Sequence, residues 1–184
     1  MRLFTGIELS REVVVNLEKL LQRLKPAARI KWSAVGNLHI TTKFIGEWAD
    51  WRLEELAGAL RELPSYDPMT IAVRGLGWFP NPHSPRVFWA AVHAPAALAE
   101  LARETERRLA QLGVEEEKRP FSPHLTLARI KEPVPLAGLR QAVAALEDTE
   151  FGEFTADRFI LYRSVLRPEG SEYTKLAAFP LHKT

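Results

Sequence analysis

Two short stretches of the chain carry the residue types that acid–base chemistry requires. In each, a threonine stands two positions after a histidine: His39 precedes Thr41, and His124 precedes Thr126. Side chains at i and i+2 of a strand point to the same face, so each stretch sets an imidazole beside a hydroxyl. An unperturbed histidine titrates near pH ~6.5, so one imidazole of a pair can act as a base while the other acts as an acid.

A cavity lined by both pairs suits the chemistry of a phosphodiester. One histidine removes a proton from the attacking oxygen, the other protonates the leaving oxygen, and each such transfer contributes roughly 10²–10⁴-fold to the rate. The two hydroxyls can donate hydrogen bonds to the non-bridging oxygens. A cyclic phosphodiester needs no further activation, and the sequence shows no acidic cluster of the two-metal type.

The competing interpretations are a structural histidine and a metal ligand. A single His-x-Thr often arises by chance, and a lone strand histidine is usually structural. Two such motifs in strand-like runs at corresponding places favour function. Zinc needs a third ligand, and the other three histidines, His83, His93 and His182, show no metal-binding spacing. We therefore expect no metal and no cofactor.

The elements that position the motifs repeat along the chain. Hydrophobic periodicity and turn residues predict strands at 2–9, 29–33, 37–45, 69–77, 86–93, 123–130, 154–164 and 173–179. They predict helices at 11–25, 51–63, 96–112 and 136–147, the first capped by Ser10. A shift of 85 residues, the distance from His39 to His124, superimposes five of these elements. An internal duplication of this kind predicts two similar lobes related by a pseudo-two-fold axis, with the motif strands facing across a cleft.

Composition excludes several classes of protein. The chain has 184 residues, 46% of them apolar and 26% charged, which suits a single globular domain. It has no cysteine, which excludes disulfides, cysteine-ligated zinc, iron–sulfur clusters and thiol catalysis. The start, MRLFTGIELS, lacks the apolar core of a signal peptide, and no run is long enough to span a membrane. A cytoplasmic location is the expectation. The net charge of +2 permits a nucleic-acid partner without requiring one.

With these motifs the chain resembles the two-histidine (2H) phosphoesterase superfamily, and within it the 2′-5′ RNA ligase branch of RNA 2′,3′-cyclic phosphodiesterases. The likeness covers nearly the whole chain and rests on RLFTGIEL, LHITTKFIGE, GLGWFPNPHSPRVFWAAV, KRPFSPHLTLARI and LYRSVLRPEGSEYTKLAAFPL. Thr42 departs from the pattern, because an apolar residue commonly follows the first motif. Alternation turns Thr42 to the buried face, where its hydroxyl needs a backbone acceptor.

The resemblance implies an α+β fold in one domain, 1–184, with duplicated lobes of roughly 1–85 and 86–184. An alternative is that the two lobes exchange their terminal strands. Each lobe would be an antiparallel sheet with two helices on its outside. The implied activity is metal-independent hydrolysis of a 2′,3′-cyclic phosphate on RNA to a 2′-phosphate. A related activity joins such an end to a 5′-hydroxyl through a 2′-5′ bond without ATP.

The implied catalytic residues are His39, His124, Thr41 and Thr126. His39 would give a proton to the leaving 3′ oxygen and His124 would take one from water, although pseudo-symmetry leaves open which histidine is the acid. The implied partners are RNA 3′ ends, such as tRNA fragments or other RNA with a cyclic phosphate. No obligate protein partner is indicated.

Two basic residues near the motifs are candidates for substrate binding. Lys43 lies two positions beyond Thr41, so alternation sets it on the face of His39, where it would draw in a phosphate or lie at a solvated edge. Arg129 resembles the arginine with which the family contacts the phosphate or the base. By strict alternation Arg129 faces away from His124, so it needs a bulge or a strand end to reach the site.

Three further residues are candidates with a structural alternative. Phe121 and Trp89 would stack on a terminal base, although aromatic residues in strands more often belong to the core. Arg86 opens a strand beside the proline-rich segment and would contact the RNA backbone, or would simply be a surface arginine.

Two other functions stay open. The first is a related enzyme that acts on a cyclic nucleotide or a 2′-5′ oligonucleotide. The second is a module that binds RNA ends without turnover. Intact histidines in both motifs argue against the second, because phosphate binding alone favours arginine and lysine.

Overall fold

The computed structural model of the protein describes residues 1–182. Within them the strands are β1 Arg2–Glu8, β2 Lys31–Trp32, β3 His39–Glu47, β4 Met69–Phe79, β5 Val87–His93, β6 His124–Arg129, β7 Glu150–Ala156, β8 Arg158–Arg167 and β9 Gly170–Pro180. The helices are α1 Arg11–Leu24, α2 Leu53–Arg61, α3 Ala96–Ala110 and α4 Ala137–Ala144. Short 3-10 segments lie at Lys25–Ala27, Val35–Asn37 and Asp50–Arg52.

The strands form two antiparallel sheets. One has the order β3-β1-β8-β9 and the other β2-β6-β5-β4-β7. Shifted by 85 residues, the starts of β1 and β3 fall on those of β5 and β6, so the neighbouring strands β3-β1 of the first sheet correspond to β6-β5 of the second. The predicted α+β class, with two antiparallel sheets and four helices, is confirmed. Each sheet draws strands from both halves of the chain, because β8 and β9 join the first sheet while β2 and β4 join the second.

The helices cover one face of each sheet. The Ser10 hydroxyl caps α1 as predicted, because it accepts from the Val13 N–H at 3.3 Å. Helix α1 packs on β7 and on α4, while α3 packs on β3 and on α2. Among residues 1–182, no helix combines the length and apolar character that crossing a membrane needs.

Alternation in β1 shows which face is left for a site. Leu3 and Ile7 are fully buried in the main core, in one cluster with the leucines of the helices. Phe4 belongs to a separate small cluster with Ile160 and Tyr162. Because successive side chains of a strand point to opposite faces, Phe4 and its neighbours mark the face of the sheet that the helices leave uncovered.

The single strand predicted at 154–164 is wrong, because the structure has two strands there. Strand β7 pairs with β4 in one sheet, and β8 pairs with β1 in the other. Asp157 lies between them, where the chain passes from sheet to sheet, and its carbonyl accepts the Leu181 N–H at 2.7 Å. The backbone is extended on both sides of Asp157, so local propensity detects no break where the pairing partner changes.

Candidate active site

His39 is the first residue of β3 and is held by the turn before it. Its Nδ1 lies 2.8 Å from the carbonyl oxygen of Asn37. A carbonyl only accepts hydrogen bonds, so Nδ1 carries the proton and Nε2 is left for chemistry. The His39 Nε2 lies 2.8 Å from the Thr41 Oγ1, which confirms the predicted pairing of imidazole and hydroxyl on one face.

His124 repeats this arrangement on the other sheet. It is the first residue of β6, and its Nδ1 lies 2.9 Å from the carbonyl oxygen of Ser122. The same reasoning assigns the proton to Nδ1 and leaves Nε2 available. Thr126 lies two positions along β6, half-buried, on the same face. Both histidines therefore bond to a carbonyl two residues earlier, and both present Nε2.

The segment between β2 and β3 ties the two motif strands together. The Ser33 hydroxyl donates to the Thr126 carbonyl at 2.7 Å, and the Ser33 N–H donates to the Leu127 carbonyl at 2.9 Å. Strands β3 and β6 also contact each other. The chain that leads into His39 is thus anchored on the strand that carries His124.

Aromatic rings surround His39 on the uncovered face of the first sheet. Phe4 stacks on the imidazole with ring centroids 4.6 Å apart, and Tyr173 approaches it edge-on at 5.3 Å. Tyr162 stacks in turn on Phe4, with centroids 4.9 Å apart. Sequence reasoning missed these residues. The available signal was the alternation of β1, which turns Phe4 away from the core leucines.

Burial among these rings shifts the pKa of two side chains, His39 and Tyr162. Burial lowers the pKa of His39 below its ordinary value of 6.5, and the bond to the Asn37 carbonyl partly opposes that shift. Burial raises the pKa of Tyr162 to about 12, with a contribution from the charge of Glu8. The Tyr162 phenol is therefore neutral at physiological pH and can act only as a neutral hydrogen-bonding group.

Gly6 provides the space that the His39 ring occupies. A Cβ at this position would lie 2.9 Å from the Ile40 carbonyl oxygen and 3.3 Å from the His39 Cδ2. The first contact is closer than real Cβ atoms approach, and it is to backbone. A side chain at position 6 would therefore displace β3 at Ile40, next to the residue that carries the imidazole.

The expectation that Lys43 shares the face of His39 is wrong. Thr5 pairs with Lys43 while Gly6 pairs with Thr41, so Thr42 is an extra residue in β3. This bulge turns Lys43 to the helix side, where it is 3% exposed. Its ammonium lies 2.8 Å from a carboxylate oxygen of Glu106 and donates to the Glu115 carbonyl at 2.8 Å. Lys43 stabilises the packing of α3 on β3 and does not reach a phosphate in the site.

Thr42 finds a partner other than the one expected. It is buried as predicted, but its Oγ1 lies 2.7 Å from the Thr5 Oγ1 on the neighbouring strand. A hydroxyl can both donate and accept, so the two threonines satisfy each other without a backbone acceptor.

The bulge that Arg129 needs is present. Trp89 pairs with Thr126 and Phe88 pairs with Ala128, so Leu127 is an extra residue in β6. The irregularity brings Arg129 to the face of Thr126 and His124. The Arg129 side chain is exposed there.

The other three binding candidates differ in exposure and in their position relative to the motifs. Trp89 is half-buried opposite Thr126, and its indole covers Gly77, where any Cβ would overlap the ring. Phe121 is half-buried three residues before His124. Arg86 is exposed, and alternation from Val87 turns its side chain away from the face that bears Thr126.

A cavity of about 580 Å³ lies beside the motif of β6, and neither of the two motif histidines, His39 and His124, lines it. His124 pairs with Ala91 on β5, and His93 follows on the same face, where it pairs with Ala72. The cavity lies around that position, and the residues that line it include Arg74, Phe121, Pro123 and Glu153. Residues 1–182 contain no cluster of three His, Asp or Glu side chains that could hold a metal ion.

Several known proteins are similar to this chain in sequence and in fold. The RNA 2′,3′-cyclic phosphodiesterase of Methanothermobacter thermautotrophicus is 32% identical over 182 residues, 98% of each chain. The enzyme of the same name from Archaeoglobus fulgidus is 33% identical over 179 residues, 97% of this chain and 99% of its own. The crystal structure of TT0787 of Thermus thermophilus matches with a TM-score of 0.82 and 30% identity, over 98% of both chains.

The paired motifs on two antiparallel sheets are thus those of a two-histidine phosphoesterase. The model of the 2′-5′ RNA ligase superfamily matches residues 13–167. The chain belongs to the 2′-5′ RNA ligase superfamily, as the motifs predict, and the prediction that it is an enzyme is confirmed.

Proposed function

We propose that the protein hydrolyses 2′,3′-cyclic phosphate ends of RNA to 2′-phosphates, with His39 and His124 as its acid and base and without a metal ion. The names of the relatives support the reaction. The observation that carries the mechanism is the shared geometry of the two histidines, each with Nδ1 held by a carbonyl two residues earlier. Fixing Nδ1 in this way directs both Nε2 atoms to the substrate.

The proposed step conserves protons and atoms. A water oxygen attacks the phosphorus, and the His124 Nε2 takes the proton that this oxygen loses. The bond between the phosphorus and the 3′ oxygen breaks, and the His39 Nε2–H protonates that oxygen. The products are a 2′-phosphomonoester and a 3′-hydroxyl, and the histidines end in exchanged protonation states.

The threonines bind the anion in this scheme. Thr41 bonds to the His39 Nε2 at 2.8 Å, so one rotation about χ1 directs its hydroxyl from the imidazole to a phosphoryl oxygen. Thr126 has the corresponding place beside His124. Arg129, on the face of Thr126, and Trp89, opposite it, are the next residues that the RNA would meet. Phe121, three residues before His124, lines the cavity beside the motif strand.

Ligation follows from the same site by a change of nucleophile. When a 5′-hydroxyl replaces water as the nucleophile, the cyclic phosphate supplies the energy of the new 2′-5′ bond, so ATP is not needed. In this proposal the enzyme acts in the cytoplasm on RNA 3′ ends, such as those of tRNA fragments. It needs no obligate protein partner.

The test is incubation with a short RNA that ends in a 2′,3′-cyclic phosphate, in EDTA, with the product isomers separated. A 2′-phosphate is expected, and His39→Ala and His124→Ala should each lower kcat roughly 10²–10⁴-fold. His83→Ala is the matched control, because His83 is exposed outside both motifs. A 3′-phosphate product, or activity lost in EDTA and restored by zinc, would contradict the proposal.

A further inference from the structure

A row of four side chains crosses the second sheet beyond the catalytic motif. Phe79 on β4 pairs with Val87 on β5, Val87 pairs with Arg129 on β6, and Arg129 pairs with Lys31 on β2. Residues paired across strands share a face. We call these four residues the Phe79–Lys31 row.

The row lies on the same face of the sheet as the motif. Along β5, Trp89 pairs with Thr126, and Val87 lies two positions before it. The position between them is occupied by Phe88 and its partner Ala128, both fully buried in the core. Alternation therefore returns the Phe79–Lys31 row to the side of Thr126.

Positive charge accumulates at one end of the row. Lys31, Arg129 and Lys131 are all exposed, and Lys131 lies two residues beyond Arg129. The like charge of Lys131 is the main cause that lowers the pKa of Lys31, and the charge of Arg129 makes a smaller contribution. None of the salt bridges among residues 1–182 involves any of the three. A polyanion that neutralised them would bind with release of counterions.

An aromatic ring lies at the other end of the row. Phe79 is 58% exposed at the end of β4, whereas the other large apolar side chains in the strands of this sheet are buried or half-buried. Surfaces that combine basic side chains with exposed aromatic rings bind single-stranded nucleic acids, because every base has a face to stack.

The dimensions of the row exceed one nucleotide. Four ladder positions separate His124 from Arg129 along β6, about 13 Å at about 3.3 Å per residue. Three strand spacings of about 4.8 Å make the row roughly 14 Å wide from Phe79 to Lys31. A single nucleotide with its phosphate at His124 cannot also reach both ends of the row.

We propose that the Phe79–Lys31 row, together with Lys131, binds the single-stranded RNA that precedes the reacting end. Lys31, Arg129 and Lys131 contact phosphates, and Phe79 stacks on a base. The identity of the reacting end rests on the proposed function. The row adds selectivity, because an oligonucleotide gains interactions that a cyclic mononucleotide cannot make.

The experiment compares kcat/KM for two substrates that share the reacting group. One is a single-stranded RNA of several nucleotides with a 2′,3′-cyclic phosphate, and the other is the corresponding cyclic mononucleotide. Lys31→Gln/Lys131→Gln should lower the ratio of RNA to mononucleotide about 10-fold and Phe79→Ala roughly 5-fold or more. Lys19→Gln, on the exposed surface of α1, and Trp51→Ala, which is 86% exposed, are matched controls.

Salt dependence gives a second measure of the basic end. The slope of log(kcat/KM) for RNA against log[salt] should become shallower by about 0.7 for each phosphate that the variant no longer neutralises. Equal reductions on both substrates, or an unchanged ratio in both row variants, would overturn the proposed RNA path.

A binding measurement separates failure of the row from failure of the proposed function. The fluorescence anisotropy of a labelled RNA ending in a 2′-phosphate reports affinity without turnover. The Lys31→Gln/Lys131→Gln variant should bind this RNA about 10-fold more weakly than Lys19→Gln does. If the wild type turns over neither substrate, the proposed function fails, and this affinity difference still decides whether the row binds RNA.

Discussion

The ring of Phe4 stacks on the imidazole of His39, with centroids 4.6 Å apart and planes inclined by 27°. The contact joins neighbouring strands, since β1 pairs with β3. It limits the rotation of the imidazole from one side, while the Asn37 carbonyl fixes Nδ1. It also removes water from the ring, which contributes to the lowered pKa of His39.

Phe4→Leu should therefore reduce kcat more than it changes KM. An aromatic pair is worth about 0.5–1.5 kcal/mol beyond its buried area, which corresponds to roughly a 2- to 10-fold loss in kcat. The pKa of His39 should rise as water enters, and NMR titration of the imidazole measures that shift. Phe159→Leu is the matched control, because Phe159 is similarly buried and stacks on Phe179, and both changes cost stability. Equal kinetic effects of the two variants would remove the positioning role of Phe4.

Gly6→Ala tests the space beside the same ring. The new Cβ would meet the Ile40 carbonyl at 2.9 Å, so the backbone of β3 must shift at Ile40, the residue after His39. We expect kcat to fall at least ~10-fold, because catalysis is sensitive to displacements of about 1 Å. Gly58→Ala in α2, where nothing lies within 4 Å of the new Cβ, should keep its activity and gain about 0.5–1 kcal/mol of stability. Wild-type kcat in Gly6→Ala, measured with the cyclic-phosphate RNA, would contradict this role.

Much of the fold follows from patterns within single elements. The Ser10 cap, the leucine stripe of α1 and the strand character around both motifs are local, and the structure contains them. The 85-residue repeat also includes the positions of two bulges, which the sequence pattern does not predict. Thr42 and Leu127, the extra residues of the two bulges, are themselves 85 positions apart.

The failures of sequence reasoning come from changes in pairing. A bulge inverts the alternation beyond it, so the same irregularity moves Lys43 away from the site and brings Arg129 toward it. The extra residue of each bulge, Thr42 or Leu127, is not a glycine, so alternation alone could not place these residues. Phe4 was missed for another reason, because an aromatic residue in a strand fits a core as well as it fits a site.

Lys43→Met distinguishes a structural lysine from a phosphate ligand. The change leaves Glu106 without its ion-pair partner, with only the Glu117 N–H still bonded to its carboxylate, and we expect it to cost roughly 2–4 kcal/mol of unfolding free energy. Urea denaturation measures this loss, and the double variant Lys43→Met/Glu106→Leu should recover part of it. KM for the cyclic-phosphate RNA should stay within about 2-fold of the wild type, because Lys43 faces the helices. A roughly 10-fold increase in KM with unchanged stability would instead return Lys43 to the site.

The pH dependence of His124→Ala assigns the role of His39, since His39 is then the remaining motif histidine. As the proton donor, His39 acts only when protonated, and burial sets its pKa below 6.5. The residual kcat/KM should therefore be highest at acid pH and fall about tenfold per unit once the pH exceeds that pKa. As a base, His39 would give the opposite limb, rising with pH to a plateau. A stopped assay of the RNA substrate from about pH 4.5 to 8 separates the two signs, and His39→Ala, measured alongside, should show the complementary limb. A rising limb in His124→Ala would exchange the two roles while keeping the paired-histidine mechanism, whereas a flat profile would contradict acid–base catalysis by His39.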